Sequence, residues 1–69
     1  VLKKRSVTIA GHGTSIALEP EFWAILEQEA RAAELSFSAL VVQIDRDRGT
    51  RPLASALRLA ALAAVQERR

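Results

Sequence analysis

At Glu19-Pro20-Glu21 the apolar pattern of this chain changes period. Before that point Thr14-Ser15-Ile16-Ala17-Leu18 alternates, with Ile16 and Leu18 on one face. Residues 5–10 alternate as well, with Val7 and Ile9 apolar and Ser6 and Thr8 polar. Period two with β-branched residues is the pattern of a strand. After that point Phe22, Ile25, Leu26, Ala30 and Ala33 recur at spacings of three and four, with Glu27, Gln28, Arg31 and Glu34 on the other side. That is an amphipathic helix. Proline suits its first turn, where a missing N–H costs nothing, and Glu19 and Glu21 suit the positive end of the helix dipole. A strand or hairpin this short is not stable alone. The β segment must therefore add to other strands or lie on helices.

Gly11-His12-Gly13 separates the two alternating runs and is expected to break the strand there. The runs could form a hairpin within one chain, or only the second could pair, with its copy in another chain. Beyond the first helix, Ser36 is a good N-cap, and Phe37, Leu40, Val41 and Ile44 follow at i, i+3, i+4 and i+7. Gly49 is a stop signal for that helix. A third helix opens after Pro52. Leu53, Ala56, Leu57, Ala60, Ala61 and Ala64 form one apolar stripe on it, and Leu59, Leu62 and Val65 form a second. A helix apolar nearly all round is buried on more than one side, which suggests a partner chain. The expectation is one mainly α domain over residues 1–69: strand or strands at about 5–18, then helices at about 20–33, 37–48 and 53–67.

A chain of 69 residues buries too little surface to be more than marginally stable by itself. Small scaffolds add disulfides, a metal or a partner. Cysteine is absent and His12 is the one histidine, so disulfides are excluded and no metal site or cofactor is expected. Oligomerisation remains. The same inventory assembles no nucleophile–base set and no Gly-rich phosphate loop, so the chain is read as not an enzyme, with no small-molecule substrate. No run of residues is long and apolar enough to span a membrane, and no apolar run of signal-peptide length follows Lys3-Lys4-Arg5. A cytoplasmic location is expected.

The net charge is only +2, but it is unevenly spread. Lys3-Lys4-Arg5 and Arg46/Arg48/Arg51 are basic clusters, and acids gather between Glu19 and Glu34. Such asymmetry permits an anionic partner on one face. The N-terminal cluster reads equally as a solubilising terminus or a nucleic-acid arm. His12 could meet a phosphate or simply occupy a turn. Asp45 and Asp47 alternate with Arg46 and Arg48, as a solvated ion-pair face does. Trp23, beside the apolar face of the first helix, reads as a core or interface anchor.

An alternating strand, a proline-marked amphipathic helix and a Ser-capped second helix, in that order, resemble the ribbon-helix-helix proteins of the Arc and MetJ class. The match is carried by Thr14-Ser-Ile-Ala-Leu-Glu-Pro-Glu-Phe-Trp and Leu35-Ser-Phe-Ser-Ala-Leu-Val, preceded by Lys4-Arg-Ser-Val-Thr-Ile-Ala-Gly-His. With that leader it is similar to a bacterial group of such domains. The resemblance implies a ribbon-helix-helix homodimer with an added C-terminal helix, the strand Thr14–Leu18 pairing antiparallel with its copy. Ile16, Leu18, Phe22, Leu26, Leu40, Val41 and Ile44 would then form the dimer core. Gly13, Ser15 and Ala17 would face outward into the major groove of DNA, and Ser36, Phe37 and Ser38 would clamp a phosphate through backbone N–H groups.

Two departures from that pattern matter. Gly13 and Ala17 cannot pair with bases, so contact could shift to Lys3, Lys4, Arg5 and His12. Glu34 stands where glycine often closes the first helix. Two functional expectations follow. The first is a DNA-binding dimer that regulates transcription or acts as an antitoxin-like repressor. The second is a protein-interaction or assembly module that keeps the fold without base reading and uses the third helix to join dimers into tetramers or to dock on a larger protein.

Overall fold

The computed structural model describes residues 1–67. Strands β1 (Lys3–Ile9) and β2 (His12–Leu18) are followed by helices α1 (Pro20–Ala32), α2 (Phe37–Asp47) and α3 (Leu53–Glu67). The two strands pair antiparallel within the chain, in a register running from Lys3 opposite Leu18 to Ile9 opposite His12.

The turn between them consists of Ala10 and Gly11, both left-handed at φ 52° and 82°. A two-residue hairpin turn with positive φ at both positions matches the right-handed twist of the strands. The strand break expected at Gly11-His12-Gly13 thus falls earlier. His12 and Gly13 belong to β2, opposite Ile9 and Thr8, and β1 begins at Lys3 rather than Arg5. Gly13 lies opposite Thr8 within β2, without the positive φ of Gly11.

Helix α1 buries Trp23, Leu26 and Ala30, while Phe22 and Ile25 are only half-buried. The apolar face is therefore turned toward Trp23, which lies at its centre rather than beside it. The helix ends in a paired closure: the Leu35 N–H donates to the Ala30 carbonyl at 2.9 Å and the Glu34 N–H to the Arg31 carbonyl at 3.0 Å. Glu34 takes the left-handed conformation that this closure demands, at φ 58°. Ser36 caps α2, its hydroxyl accepting from the Ala39 N–H at 3.0 Å. Gly49, at φ 62°, lies just beyond the end of that helix. Helix α3 starts as the Ala56 N–H donates to the Pro52 carbonyl at 3.0 Å.

One core joins all five elements. Val7, Ile16 and Leu18 of the hairpin meet Trp23, Leu26 and Ala30 of α1, Leu40 and Val41 of α2, and Leu57 and Ala61 of α3. The seven residues assigned by resemblance to a dimer core are thus packed within one chain, Phe22 and Ile44 only partly buried. The second apolar stripe of α3 faces outward, with Leu59 43%, Leu62 49% and Val65 37% exposed. Among the described residues no helix is long and apolar enough to cross a membrane.

Candidate nucleic-acid interface

Side chains alternate across a strand, so the register sorts the ribbon into two faces. One carries Lys3, Arg5, Val7 and Ile9 with His12, Thr14, Ile16 and Leu18. Burial of Val7, Ile16 and Leu18 makes this the face toward the helices. The other carries Lys4, Ser6 and Thr8 opposite Ala17, Ser15 and Gly13. All of these are exposed except Ala17, which is half-buried.

This sorting divides the basic cluster. Arg5 turns toward the helices, and its guanidinium lies 5.0 Å from the ring centre of Trp23 and 5.6 Å from that of Phe37. The same group pairs with Glu27 at 3.2 Å. The two rings meet at 5.9 Å, tilted by 53°. Arg5 thus caps an aromatic pair drawn from α1 and α2, with a carboxylate alongside. Next to it, the Trp23 indole N–H donates to the Lys3 carbonyl at 2.8 Å, which fixes the start of β1 onto α1. The Lys3-Lys4-Arg5 segment is therefore a docked strand and not a loose arm. Lys4 points to the opposite face and makes no ion pair among the described residues. Lys3, Lys4 and Arg5, together with Pro20, Trp23 and Ala24, line a shallow groove of about 350 Å³.

The other residues singled out from the sequence lie in separate places. His12 is exposed at the turn end of β2. Ser36 and Ser38 are exposed at the start of α2, with Phe37 between them under Arg5. The N-terminus of α2 thus lies at the β1 side of the ribbon, with the Ala39 N–H taken up by the Ser36 hydroxyl. Arg48 pairs with Asp45 at 2.7 Å, as the alternating charges at the end of α2 suggest. At the junction of β2 and α1, Glu19 meets Arg58 of α3 at 3.0 Å. The Glu19 carboxyl is held below its ordinary range, first by hydrogen bonding at its own backbone and then by Arg58.

A family model described as "Ribbon-helix-helix domain" matches residues 2–65. The chain belongs to the ribbon-helix-helix family. No curated protein and no solved structure matches it. Ribbon-helix-helix domains are typically DNA-binding regulators, generally dimerise and are generally non-enzymatic. In this ribbon-helix-helix domain the ribbon is a hairpin of one chain followed by three helices. That arrangement brings forward two outward residues that sequence reasoning passed over, Ser6 and Thr8. Their alternation with Val7 and Ile9 was visible, but their placement beside Ser15 and Gly13 depends on β1 pairing with β2.

Proposed function

We propose that the chain is a cytoplasmic, DNA-binding homodimer that regulates transcription or acts as an antitoxin-like repressor. The observation that carries this reading is the outward face of the ribbon: exposed, uncharged apart from Lys4, and built as a two-stranded antiparallel ribbon. The major groove of B-DNA admits such a ribbon. Lys3, at the β1 edge, and the N-terminus of α2 at Ser36 and Ser38 supply phosphate contacts, which position a protein without reading sequence. Ser15 lies on the same surface, His12 is exposed at the turn end on the other face, and Arg5 supports the ribbon from below.

The test is a fluorescence-anisotropy titration of the chain against duplex DNA at low and high salt, with light scattering to count copies. Binding that weakens steeply with salt, by a dimer, is the expected result. No binding at low salt would remove the reading.

A second reading is favoured by Leu59, Leu62 and Val65, whose exposure on α3 leaves an apolar stripe on the surface. The chain would then be an assembly module, with that stripe joining dimers into tetramers. Changing Leu59 and Leu62 to Lys should leave a dimer and abolish any higher assembly. A chain that is purely dimeric before the change removes this reading.

A further inference from the structure

We infer that the outward stripe of α3 is a self-pairing surface, on which α3 of a second copy of this chain lies antiparallel, with Leu59 against Leu62 and Ser55 against Gln66. The inference rests on the assembly reading above and gives it a direction and a register.

The order of residues along the stripe is the first ground. Ser55, Leu59, Leu62 and Gln66 follow at spacings of four, three and four, which puts them on one side of the helix. Leu59 and Leu62 are exposed at its middle, and Ser55 and Gln66 are its polar ends. Polar, Leu, Leu, polar at those spacings reads the same from either end. A two-fold contact must present one patch to itself, residue i on j and j on i. Antiparallel α3 helices meet that demand, since each Leu59 finds a Leu62 and each Ser55 a Gln66. The opposite side of α3, through Leu57 and Ala61, is buried in the core with the hairpin, α1 and α2. Pairing through the stripe therefore leaves the ribbon free.

The groove beside the stripe is the second ground. Ile44 and Asp47 of α2 and Ala56, Leu59 and Ala60 of α3 line a shallow hollow of about 240 Å³, with Arg51 of the connecting loop at its rim. Ala56, Ala60, Ala63 and Glu67 follow at spacings of four, three and four, so Glu67 lies on the hollow's side of α3. A two-fold axis across two antiparallel helices keeps like sides together. It lays Glu67 of each copy along the hollow of the other, toward Arg51. Both residues are exposed, and neither is ion-paired among the described residues. A parallel pair would set Arg51 on Arg51 and Glu67 on Glu67 instead. Because Asp47 shares the hollow, the leucine pairs drive the contact and the charges fix its direction. A helix of 15 residues is about 22 Å long. A contact of that length is small for a specific interface, so assembly through it should depend on concentration.

The chain has no cysteine, so single cysteines report the pairing directly. Full chains carrying Ser55→Cys or Gln66→Cys are oxidised mildly, each alone and mixed in equal amounts, and the cross-linked species are counted on non-reducing gels. The mixture should cross-link several-fold faster than either variant alone. Position 55 faces position 66 across the contact, whereas two copies of either position lie about 16 Å apart along the helices. Light scattering over a concentration series, with circular dichroism confirming the fold, should show the wild type passing from dimer to tetramer. Leu62→Lys should raise the midpoint concentration roughly 30-fold or more. Arg51→Glu and Glu67→Arg should each raise it roughly 2- to 10-fold, and the two together should restore it. Faster cross-linking of either variant alone marks a parallel pair and overturns the inference. A tetramer indifferent to Leu62→Lys overturns it as well, by placing the contact elsewhere. Both of those results leave the assembly reading standing. A wild type that stays dimeric at every concentration, with no cross-link in the mixture, removes the assembly reading itself.

Discussion

The two faces of the ribbon are made by alternate residues of the same two strands, yet they are opposites. On the helix side Val7, Ile16 and Leu18 are buried, Arg5 is stacked and ion-paired, and the Lys3 carbonyl accepts from Trp23, while His12 and Thr14 near the turn are exposed. On the outer side Lys4, Ser6, Thr8 and Ser15 are exposed, and none of their side chains is ion-paired among the described residues. Lys4 and Arg5, adjacent in one basic cluster, show the contrast most sharply. One charge holds the ribbon to the helices and the other is left for solvent or a partner. Charge in sequence is thus a poor guide to availability until strand parity is known. If the comparison is right, the helix side should carry the stability and the outer side the binding.

The largest effect is expected at Trp23. Its ring is 2% exposed and it supports Arg5, Phe37 and the Lys3 carbonyl together. Trp23→Ala should cost about 3–5 kcal/mol. A domain of this size has a total stability of roughly 3–10 kcal/mol, so denaturant unfolding should show about a third or more of that stability lost. A loss below about 1 kcal/mol would mean that the hairpin is not held through this residue.

Arg5→Ala comes next. An exposed ion pair is worth up to about 1 kcal/mol and a stacked guanidinium about as much again, so a loss of about 1–2 kcal/mol is expected. Arg5→Lys should recover only part of it, because an ammonium cannot lie flat over two rings. DNA affinity at low salt should change less with Arg5→Ala than with Lys4→Ala, although each removes one charge. Equal losses would break the distinction between the two faces.

Much of this could be read from the residues alone. The change of period at Pro20, the Ser36 cap and the stop at Gly49 are local signals, and local signals survive folding. The hairpin was one of two open alternatives, because nothing in Val7 and Ile9 says which chain their strand will pair with. The position of the turn was misjudged since two glycines outrank an Ala-Gly pair as a turn signal, yet the register leaves Gly13 in the ladder. Helix α1 presents Trp23 rather than Phe22 at the centre of its buried face, because an indole N–H within reach of the Lys3 carbonyl settles the rotation. That contact spans 20 residues and has no sequence signature. The outward row of β1 was hidden for the same reason: Ser6 and Thr8 become neighbours of Ser15 and Gly13 only through long-range pairing.

Two strained positions offer gains. Ala10 and Glu34 are the non-glycine residues with positive φ among those described. Ala10→Asn would give the Asn-Gly pair that this turn type favours, and Glu34→Gly would remove the Cβ from the α1 closure. Each should raise stability by about 0.5–1 kcal/mol, or a few degrees in the thermal midpoint.

A smaller effect is expected from acid at Glu19. Its carboxyl titrates below the ordinary 4.5 in the folded chain, so its contribution is present above that value and is lost as pH falls through the folded one. Glu19→Gln should flatten the acid limb of the stability profile and leave the neutral region nearly unchanged. An acid limb that is the same with and without the carboxylate would assign the effect to other groups.

The smallest change in stability should come from the outer face. Replacing Lys4, Ser6 and Thr8 together by Ala should move the unfolding free energy by no more than about 0.5 kcal/mol each, since surface positions without partners rarely matter more. Some loss is built into the change, because alanine is a poorer strand former than threonine. The triple variant should therefore remain folded while losing DNA affinity at low salt. That combination is what separates a face kept for binding from one that is merely solvated. A solvated face would lose nothing in either measurement, and a structural face would lose both together.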